Sequence, residues 1–372
     1  MKILITGGLG FIGTRLATSL MHRSHDVILV DSLSPQIHGD VPQARAPDGA
    51  KVVRVDVREL ADRDDLLEGV DIVYHLAAET GTAQSMYRIR HYVDVNDTGT
   101  AALLEAMSRC VRKPKQIVLA SSRSVYGEGA YRHPRRPGER FVPEPRTAEQ
   151  LAAGQWDPVA EDGESLEPVA TPEMSPFLPG SVYAATKASQ ELLVTVAAKA
   201  MGVRSTILRF QNVYGEGQSL RNPYTGIISI FYNRARQGLD IPIYEDGLES
   251  RDFVHLDDVV AALQRVLECE LPHGMVVNVG SGTPTSVHAL ASSLLAAAGL
   301  DVPVRITGQY RLGDIRHCFA DIGRLAQYLG LTPAMSLESG LGRFCTWASS
   351  QPVYEDKLDA ATAELRAKGL AR

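Results

Sequence analysis

Cysteine is scarce in this chain. Four occur in 372 residues, at positions 110, 269, 318 and 345, and none forms a C-x-x-C pair. That spacing argues against a zinc ribbon or a disulfide framework and fits a reducing compartment, so no metal is expected and the cytoplasm is the expected location. Excess positive charge is missing too. Lys and Arg number 38 against 44 Asp and Glu, a formal net charge of −6, which speaks against a nucleic-acid partner. No apolar run is long enough to span a bilayer, so no membrane partner is expected. The first residues already read as a strand, which leaves no place for a signal peptide. No internal repeat is visible. What is present is a hydrophobic fraction of 44% over a length that supports a large core and one or two domains.

The rest of the chain is organised around residues 2–31. Ile3, Leu4 and Ile5 form an apolar run without polar alternation, as a strand buried on both faces does. Gly7, Gly10 and Gly13 follow at G-x-x-G-x-x-G spacing. Leu16, Ala17, Leu20 and Met21 then recur at helical spacing, and Val27 to Val30 reads as a second buried strand ending on Asp31. Glycines in such a turn let the backbone approach a pyrophosphate, which sits at a helix N-terminus where free N–H groups and the helix dipole favour an anion. Asp31 lies 18 residues after Gly13, the place of an acid that hydrogen-bonds a ribose diol. No Lys or Arg adjoins Asp31 to take a 2′-phosphate, so NAD is expected rather than NADP.

Further along, a polar loop reaches Ala50, Lys51 to Asp56 reads as a strand and Leu60 to Leu67 as a short helix. Val70 to Leu76 is a fourth strand, running into Ala77 and Ala78. Small residues there suit either a flat cofactor or simple packing. Residues 84–109 look like one helix, and Ile117 to Ala120 a fifth strand that ends in Ser121-Ser122-Arg123-Ser124. This alternation predicts an α/β fold, a Rossmann-type doubly wound parallel sheet with right-handed crossovers. From 129 to 180 the periodicity disappears, and nine of the 20 prolines fall between Pro134 and Pro179. The stretch is expected to be an irregular excursion, ordered as a flap near the mouth of the active site. A strong helix from Ser181 to Met201 and a sixth strand, Ser205 to Arg209, follow. Thr225 to Gln237 then reads as a helix, and shorter elements run to the end. The expected division is a dinucleotide-binding domain over 1–210, a smaller α/β substrate-binding domain over 211–350, and a C-terminal helix over 351–372.

Tyr183 and Lys187 are four apart, so they share one helix face. A free tyrosine, with a pKa near 10, is a poor base at neutral pH. A neighbouring ammonium and a nicotinamide cation favour the phenolate. Tyr183 then moves a hydroxyl proton while hydride is exchanged with the nicotinamide, and Ser122 bonds the same oxygen.

These residues, with TGGLGFIG, Asp56-Val57-Arg58, HLAAETG, ASSRSVYG, YAATK, LRFQNVYG, SRDFVHLDD, VNVGSG and GDIRHCFAD, resemble the NAD-dependent epimerase/dehydratase family of extended short-chain dehydrogenase/reductases. Within it the motifs are most similar to dTDP-L-rhamnose 4-epimerase-type enzymes, with UDP-glucose 4-epimerase more distant. The resemblance implies Ser122, Tyr183 and Lys187 as the catalytic set. Gly7, Gly10 and Gly13, with Phe11 and Ile12, would hold the NAD pyrophosphate, Asp31 the adenosine ribose, and Asp56 and Val57 the adenine. Leu76, Ala77, Ala78 and Lys187 would line the nicotinamide end. Glu79, Thr80, Ser85, Ser122 and Arg123 would meet the sugar, and Asn212 and Arg251 the diphosphate. Asp314 and Arg316 would lie near the nucleoside. Without the family, Arg251 and Arg316 read equally as ion-paired residues.

Two departures matter. The dehydratase branch carries Asp and Glu after the triad Ser/Thr, and the decarboxylase branch a Glu; here Arg123 and Ser124 stand there. Relatives with an expanded central segment often carry cysteines in it, and this one has none between Cys110 and Cys269. The resemblance therefore implies a nucleotide-sugar 4-epimerase, acting on a dTDP- or UDP-hexose through a transient 4-keto sugar, as a homodimer. Dehydration, decarboxylation or net 4-oxidation by the same fold is the first alternative. A non-enzymatic NAD sensor is the second, and the Tyr183–Lys187 pair counts against it.

Overall fold

The computed structural model describes residues 1–39, 46–224 and 226–372. Part of the polar loop expected before Ala50, and Thr225 at the expected start of a helix, lie outside the described residues.

Seven strands form the central sheet: β1 Lys2–Thr6, β2 Asp26–Asp31, β3 Lys51–Arg54, β4 Ile72–His75, β5 Gln116–Ser122, β6 Arg204–Phe210 and β7 Met275–Val279. Every neighbouring pair is parallel, in the order β3-β2-β1-β4-β5-β6-β7. The order reverses between β1 and β4, and open sheets bind ligands at such a crevice. The glycine turn leaves β1 there, and Leu76 to Ala78 leave β4.

The unbroken apolar run of β1 has a simple cause. Ile3 and Ile5 enter one core with Leu16, Leu20, Tyr74, Leu208, Val259 and Leu263. Leu4 enters a second core on the other face, with Ile28, Leu103, Met107, Leu119 and Val194. Each fully buried aliphatic side chain of this kind contributes about 1.5–3 kcal/mol. The sheet does not stop at residue 210. It draws β7 from beyond that point, and the Tyr74 hydroxyl of β4 donates to the Leu263 carbonyl at 2.8 Å in the helix Leu256–Glu268.

A third core lies in the later residues, where the helices Ile227–Ala235, Val287–Ala298 and Leu337–Ser349 bring together Ile228, Phe231, Leu290, Leu294, Leu341 and Phe344. Short strands carry the chain back toward the cleft. Ser250–His255 pairs with Asn212–Tyr214 and with His317–Cys318.

Two expectations need correction. The stretch 129–180 is not irregular: Ala130–His133 pairs antiparallel with Arg136–Phe141 and with Glu167–Val169. A short helix, Ala148–Ala152, begins at a reciprocal cap between Thr147 and Gln150. Its strands escaped notice because they run through Arg-Pro-Gly-Glu-Arg and show no alternating apolar face. Nor is 84–109 one helix. It is split into Thr82–Ser85, Ile89–Val93, a π turn Asp94–Thr98 and Gly99–Arg109. The wide turn contains the fully buried Asn96, whose side-chain amide accepts from Glu79 N at 2.8 Å and donates to the Glu79 carbonyl at 3.1 Å. It also donates to the Thr186 hydroxyl at 2.9 Å. Such turns often sit at functional sites, and this one fixes the backbone that follows β4.

Candidate active site

A cleft of about 1260 Å³ runs along the carboxyl ends of the strands. Its lining includes Gly7, Gly10, Phe11, Ile12, Gly13, Asp31, Asp56 and Val57 at one end. Leu76, Ala77, Ala78, Glu79, Thr80, Ser122, Arg123, Tyr183 and Lys187 follow, and Asn212, Arg251 and Asp314 lie beyond them. The structure thus brings together all but two of the expected residues.

The first exception is Ser85. It is fully buried, and its hydroxyl accepts the Tyr183 N–H at 3.0 Å, so it seats the start of the helix that carries Tyr183 and does not line the cleft. The second is Arg316. Its guanidinium is spent on ion pairs with Glu245 at 3.0 Å, Asp246 at 2.6 Å and Asp157 at 2.7 Å. Of the insertion 129–180, Gly180 alone among the described residues lines the cleft. Through Arg146 and Asp157 the insertion braces the 311–318 segment from behind, with Arg146 donating to the Asp314 carbonyl at 2.9 Å.

The glycine end fits a dinucleotide. Gly7 has φ +66°, and a Cβ on Gly13 would stand 2.3 Å from the Gly7 carbonyl oxygen, so a side chain at either position would close the turn. The helix Phe11–His22 starts from Gly10 without a side-chain cap and without an acid in its first turn. Its N-terminus is therefore left to an anion. Asp31 is held rigidly at the end of β2, accepting from Leu9 N at 3.0 Å and Leu33 N at 2.8 Å. Asp56 accepts from Arg58 N at 2.9 Å and pairs with the Arg58 guanidinium at 2.8 Å. That guanidinium holds the Asp56 carboxyl below its ordinary pKa.

The middle of the cleft holds the residues expected to move protons. Ser181 caps the helix Val182–Met201, its hydroxyl accepting from Ala184 N at 3.1 Å. Tyr183 and Lys187 occupy successive turns of it and are both buried. Burial raises the Tyr183 pKa, while a Ser122 hydrogen bond and the Arg123 charge pull the other way. Burial is the larger effect and the Tyr183 pKa is raised on balance. Lys187 donates to the Ala120 carbonyl at 2.9 Å, and burial brings its own pKa down to about 7 against the charges of Glu191 and Asp97. Behind these groups, the buried His75 hydrogen-bonds Thr6 at 2.7 Å and Thr100 at 2.9 Å.

Two residues of this machinery went unnoticed in the sequence. Glu191 lies one turn beyond Lys187, which the repeat 183, 187, 191 could have signalled. It receives a Ser121 hydrogen bond and a forked pair from Arg209 at 2.9 and 2.7 Å. Arg209 itself lies between the Tyr126 and Phe177 rings, 4.8 and 5.0 Å from their centroids.

At the far end Arg123 donates to the Asn212 side chain at 2.7 Å, and burial and the nearby Arg251 charge lower its pKa. Arg251 is fixed by Asp314 at 3.0 Å and by the Ile315 carbonyl at 2.7 Å. Burial pushes the Asp314 carboxyl up, but the charges of Arg251, Arg311 and Arg146 outweigh it and its pKa is lowered. Two guanidiniums held this close in a cleft suit a polyanion. Glu79 lines the cleft but is paired with His91 at 3.2 Å. Among the described residues no group of His, Cys, Asp or Glu could hold a metal ion, and no helix is long and apolar enough to cross a membrane.

The sequence pattern of the NAD dependent epimerase/dehydratase family matches residues 3–149 and 158–280. The chain belongs to this family. The epimerase/dehydratase-family enzyme is 39% identical to a dTDP-L-rhamnose 4-epimerase of Burkholderia thailandensis, over 94% of this chain and 95% of that protein. Its fold is similar to that of the UDP-glucose 4-epimerase of Thermotoga maritima with UDP-glucose, at a TM-score of 0.76 and 27% identity, covering 94% and 99% of the two chains. It is also similar to the UDP-glucuronic acid 4-epimerase of Bacillus cereus with UDP-glucuronic acid and NAD, at a TM-score of 0.73 and 25% identity, covering 94% and 99%. The cofactor of the family is NAD, and the Gly7–Gly13 turn, the open helix N-terminus and Asp31 fit it.

Proposed function

We propose that this enzyme inverts C4 of a nucleotide-linked hexose, with a dTDP-sugar of the L-rhamnose type as the first candidate and UDP-hexoses as the second. The observation that carries the reading is the pair Arg123 and Ser124 beside the triad. An arginine side chain keeps its proton up to about pH 12, which makes it a poor proton donor near neutral pH. Arg123 is also tied to Asn212 at 2.7 Å. Ser124 is a weak acid and a weaker base. The dehydratase and decarboxylase branches use carboxyl groups there, whereas epimerisation needs only Tyr183, Ser122, Lys187 and NAD. The 39% identity to a dTDP-L-rhamnose 4-epimerase supports the choice of sugar.

NAD, when bound, accepts and returns the C4 hydride. Tyr183 takes the proton of the 4-hydroxyl and gives it back once the 4-keto sugar has presented its other face. Ser122 shares the tyrosine oxygen and orients it. Lys187, fixed on the Ala120 carbonyl, presents its ammonium from the same helix face, and Arg123, Asn212 and Arg251 hold the diphosphate. Incubation with a panel of sugar nucleotides, read by mass spectrometry and NMR, tests this. The expected product keeps the substrate's mass and is inverted at C4. A product lighter by water or carbon dioxide would replace the reading with dehydratase or decarboxylase chemistry.

A homodimer is part of the same proposal. The adjoining helices Ile89–Val93 and Val182–Met201 leave Ile89, Val93, Leu192 and Val196 exposed by 53, 38, 58 and 69%, an apolar patch that suits a second copy. Light scattering at micromolar concentration should give twice the chain mass, and Val196→Glu should return the monomer. The four free cysteines support a reducing compartment, the cytoplasm.

A further inference from the structure

Beyond residue 350 the chain turns back over the cleft. The helix Leu358–Ala367 contributes Leu358, Ala361, Thr362 and Leu365 to its lining, and all four are buried. This wall is pinned at several points. The Glu364 carboxylate accepts hydrogen bonds from the hydroxyls of Tyr87 at 2.9 Å and Tyr224 at 3.1 Å. Burial first, then hydrogen bonds with Tyr224 and Glu364, raise the Tyr87 pKa. The ammonium of Lys368 lies 4.7 Å from the centre of the Tyr87 ring. On its other side the helix meets Tyr244, whose hydroxyl is 3.1 Å from that of Thr362.

After the helix, Tyr310 and Arg372 exchange two backbone hydrogen bonds, at 2.9 and 3.0 Å. Leu312 N adds a third, to the Leu370 carbonyl at 3.1 Å. The tail therefore holds the segment that carries Asp314. At the opposite end, Tyr87 follows Ser85 by two residues, and Ser85 accepts the N–H of Tyr183. One strap thus reaches from the seat of the catalytic helix to the residues beside Arg251. Its partners are Tyr87, Tyr224, Arg234, Tyr244 and 310–312. The glycine turn is not among its hydrogen-bond partners in the described residues.

We propose that the segment Leu358–Ala367 is a wall of the substrate subsite and that Glu364 is the positioning residue that holds it there. It sets affinity for the nucleoside diphosphate sugar and leaves the NAD end untouched. The inference rests on the sugar-nucleotide reading of the cleft. Its chemistry is a split between the two halves: Leu358, Ala361 and Leu365 offer aliphatic surface to a base or sugar face, while Glu364 offers the substrate nothing and only ties the helix down.

The test uses the full chain and three variants, Glu364→Ala, Tyr87→Phe and Ala361→Trp. Calorimetry with dTDP, UDP and NAD as separate probes is compared with kcat and KM on the substrate found above. Glu364→Ala removes two hydrogen bonds to a charged group, and should weaken nucleoside diphosphate binding and raise KM by about tenfold or more. The kcat and NAD affinity should stay within about twofold, the signature of lost uniform binding. Tyr87→Phe should do the same more weakly, and Ala361→Trp should block the nucleotide while leaving every pin in place. Unchanged nucleotide affinity in folded Glu364→Ala and Ala361→Trp proteins would overturn the proposal. So would an equal loss of NAD and nucleotide binding, which marks a general brace. A wild-type enzyme that binds neither dTDP nor UDP would overturn the sugar-nucleotide reading, and this inference with it.

Discussion

The two ends of the cleft are held by different physics. Around the glycine turn the structure rests on uncharged side chains, Ile3, Ile5, Leu16 and Leu20 on one face of the sheet and Leu4, Ile28 and Leu103 on the other. Around Arg251 it rests on charge. Arg146 pairs with Glu128 at 3.1 Å and Glu245 at 2.9 Å, and Arg316 pairs with Glu245, Asp246 and Asp157. The Arg146 and Arg316 side chains are only 2 and 1% exposed. Apolar contact is non-directional, so the first end tolerates small changes of shape. Buried ion pairs are directional, and removal of one partner strands the other without compensation. The glycine-turn end is thus a packed scaffold, and the Arg251 end a fitted one whose geometry depends on every member.

The largest expected effect breaks the charged end. Arg316→Leu takes from buried Glu245 one of its two arginines, leaves Asp246 and Asp157 without their guanidinium, and should cost about 3 kcal/mol of stability. Ile5→Val, the matching change at the apolar end, should cost about 0.5–1.5 kcal/mol. Urea denaturation of the two variants measures the contrast, and equal losses would erase it. Next comes the residue where the two ends meet. Tyr183→Phe keeps the ring and removes the proton acceptor, so turnover should fall by about 10² or more while NAD and nucleotide still bind. Near-normal turnover would take Tyr183 out of the proposed role.

The smallest effect concerns acid. Burial brings the His75 pKa down to about 3, so the folded protein keeps it neutral while the unfolded chain protonates near 6.5. Below about pH 6.5 the unfolded state binds the extra proton, and this group's contribution is lost progressively down to about pH 3, by at most about 1.4 kcal/mol per pH unit. At the charged end, hydrogen bonds and ion pairs from Arg316 and His317 hold Asp157 low, and those from Arg316 hold Asp246 low. They release stability only below the ordinary carboxylate range. Between about pH 6 and 5 His75 takes stability from the apolar end as the pH falls; at the charged end the lowered pKa of His317 acts in the same sense, and Glu249, raised by burial to about 7, in the opposite one. Stability in His75→Gln should fall less steeply over that interval than in the wild type, and parallel slopes would assign the sensitivity elsewhere.

The same contrast explains what could be read in the amino-acid sequence. The apolar end announces itself locally: Ile3 to Ile5, the glycine spacing and Asp31 lie within 31 residues, and the Tyr183–Lys187 pair lies within one helical turn. The charged end has no local signature. Arg316 N meets Glu128 across 188 residues and its guanidinium meets Asp157 across 159, so nothing near Arg316 distinguished a structural arginine from a ligand-binding one. Ser85 failed for a related reason. Its role, acceptance of a backbone N–H from residue 183, exists only after two distant segments have met. The strands of 129–180 and the π turn at Asn96 depend likewise on partners rather than on periodicity.

The placement of β7 has a consequence for recombination between relatives. Ile207 of β6 stands opposite Val276 of β7, yet residues 211–274 intervene, and that excursion supplies both Asn212 and Arg251. The stretch that carries them is therefore spliced into the sheet rather than appended to it. A chimera joined once, near residue 210, would separate two hydrogen-bonded strands into different parents and also divide the core that Val259 and Leu263 share with Leu16 and Leu20. An exchange that moves 211–274 as a closed cassette, returning to the sheet at Met275, would keep all seven strands from one parent. The seams left to match would then be the packing of Val259 and Leu263 against Leu16 and Leu20, and the third core, where Ile228 and Phe231 meet Leu290, Leu294, Leu341 and Phe344. The junctions of such a cassette would fall at the two ends of one parallel crossover.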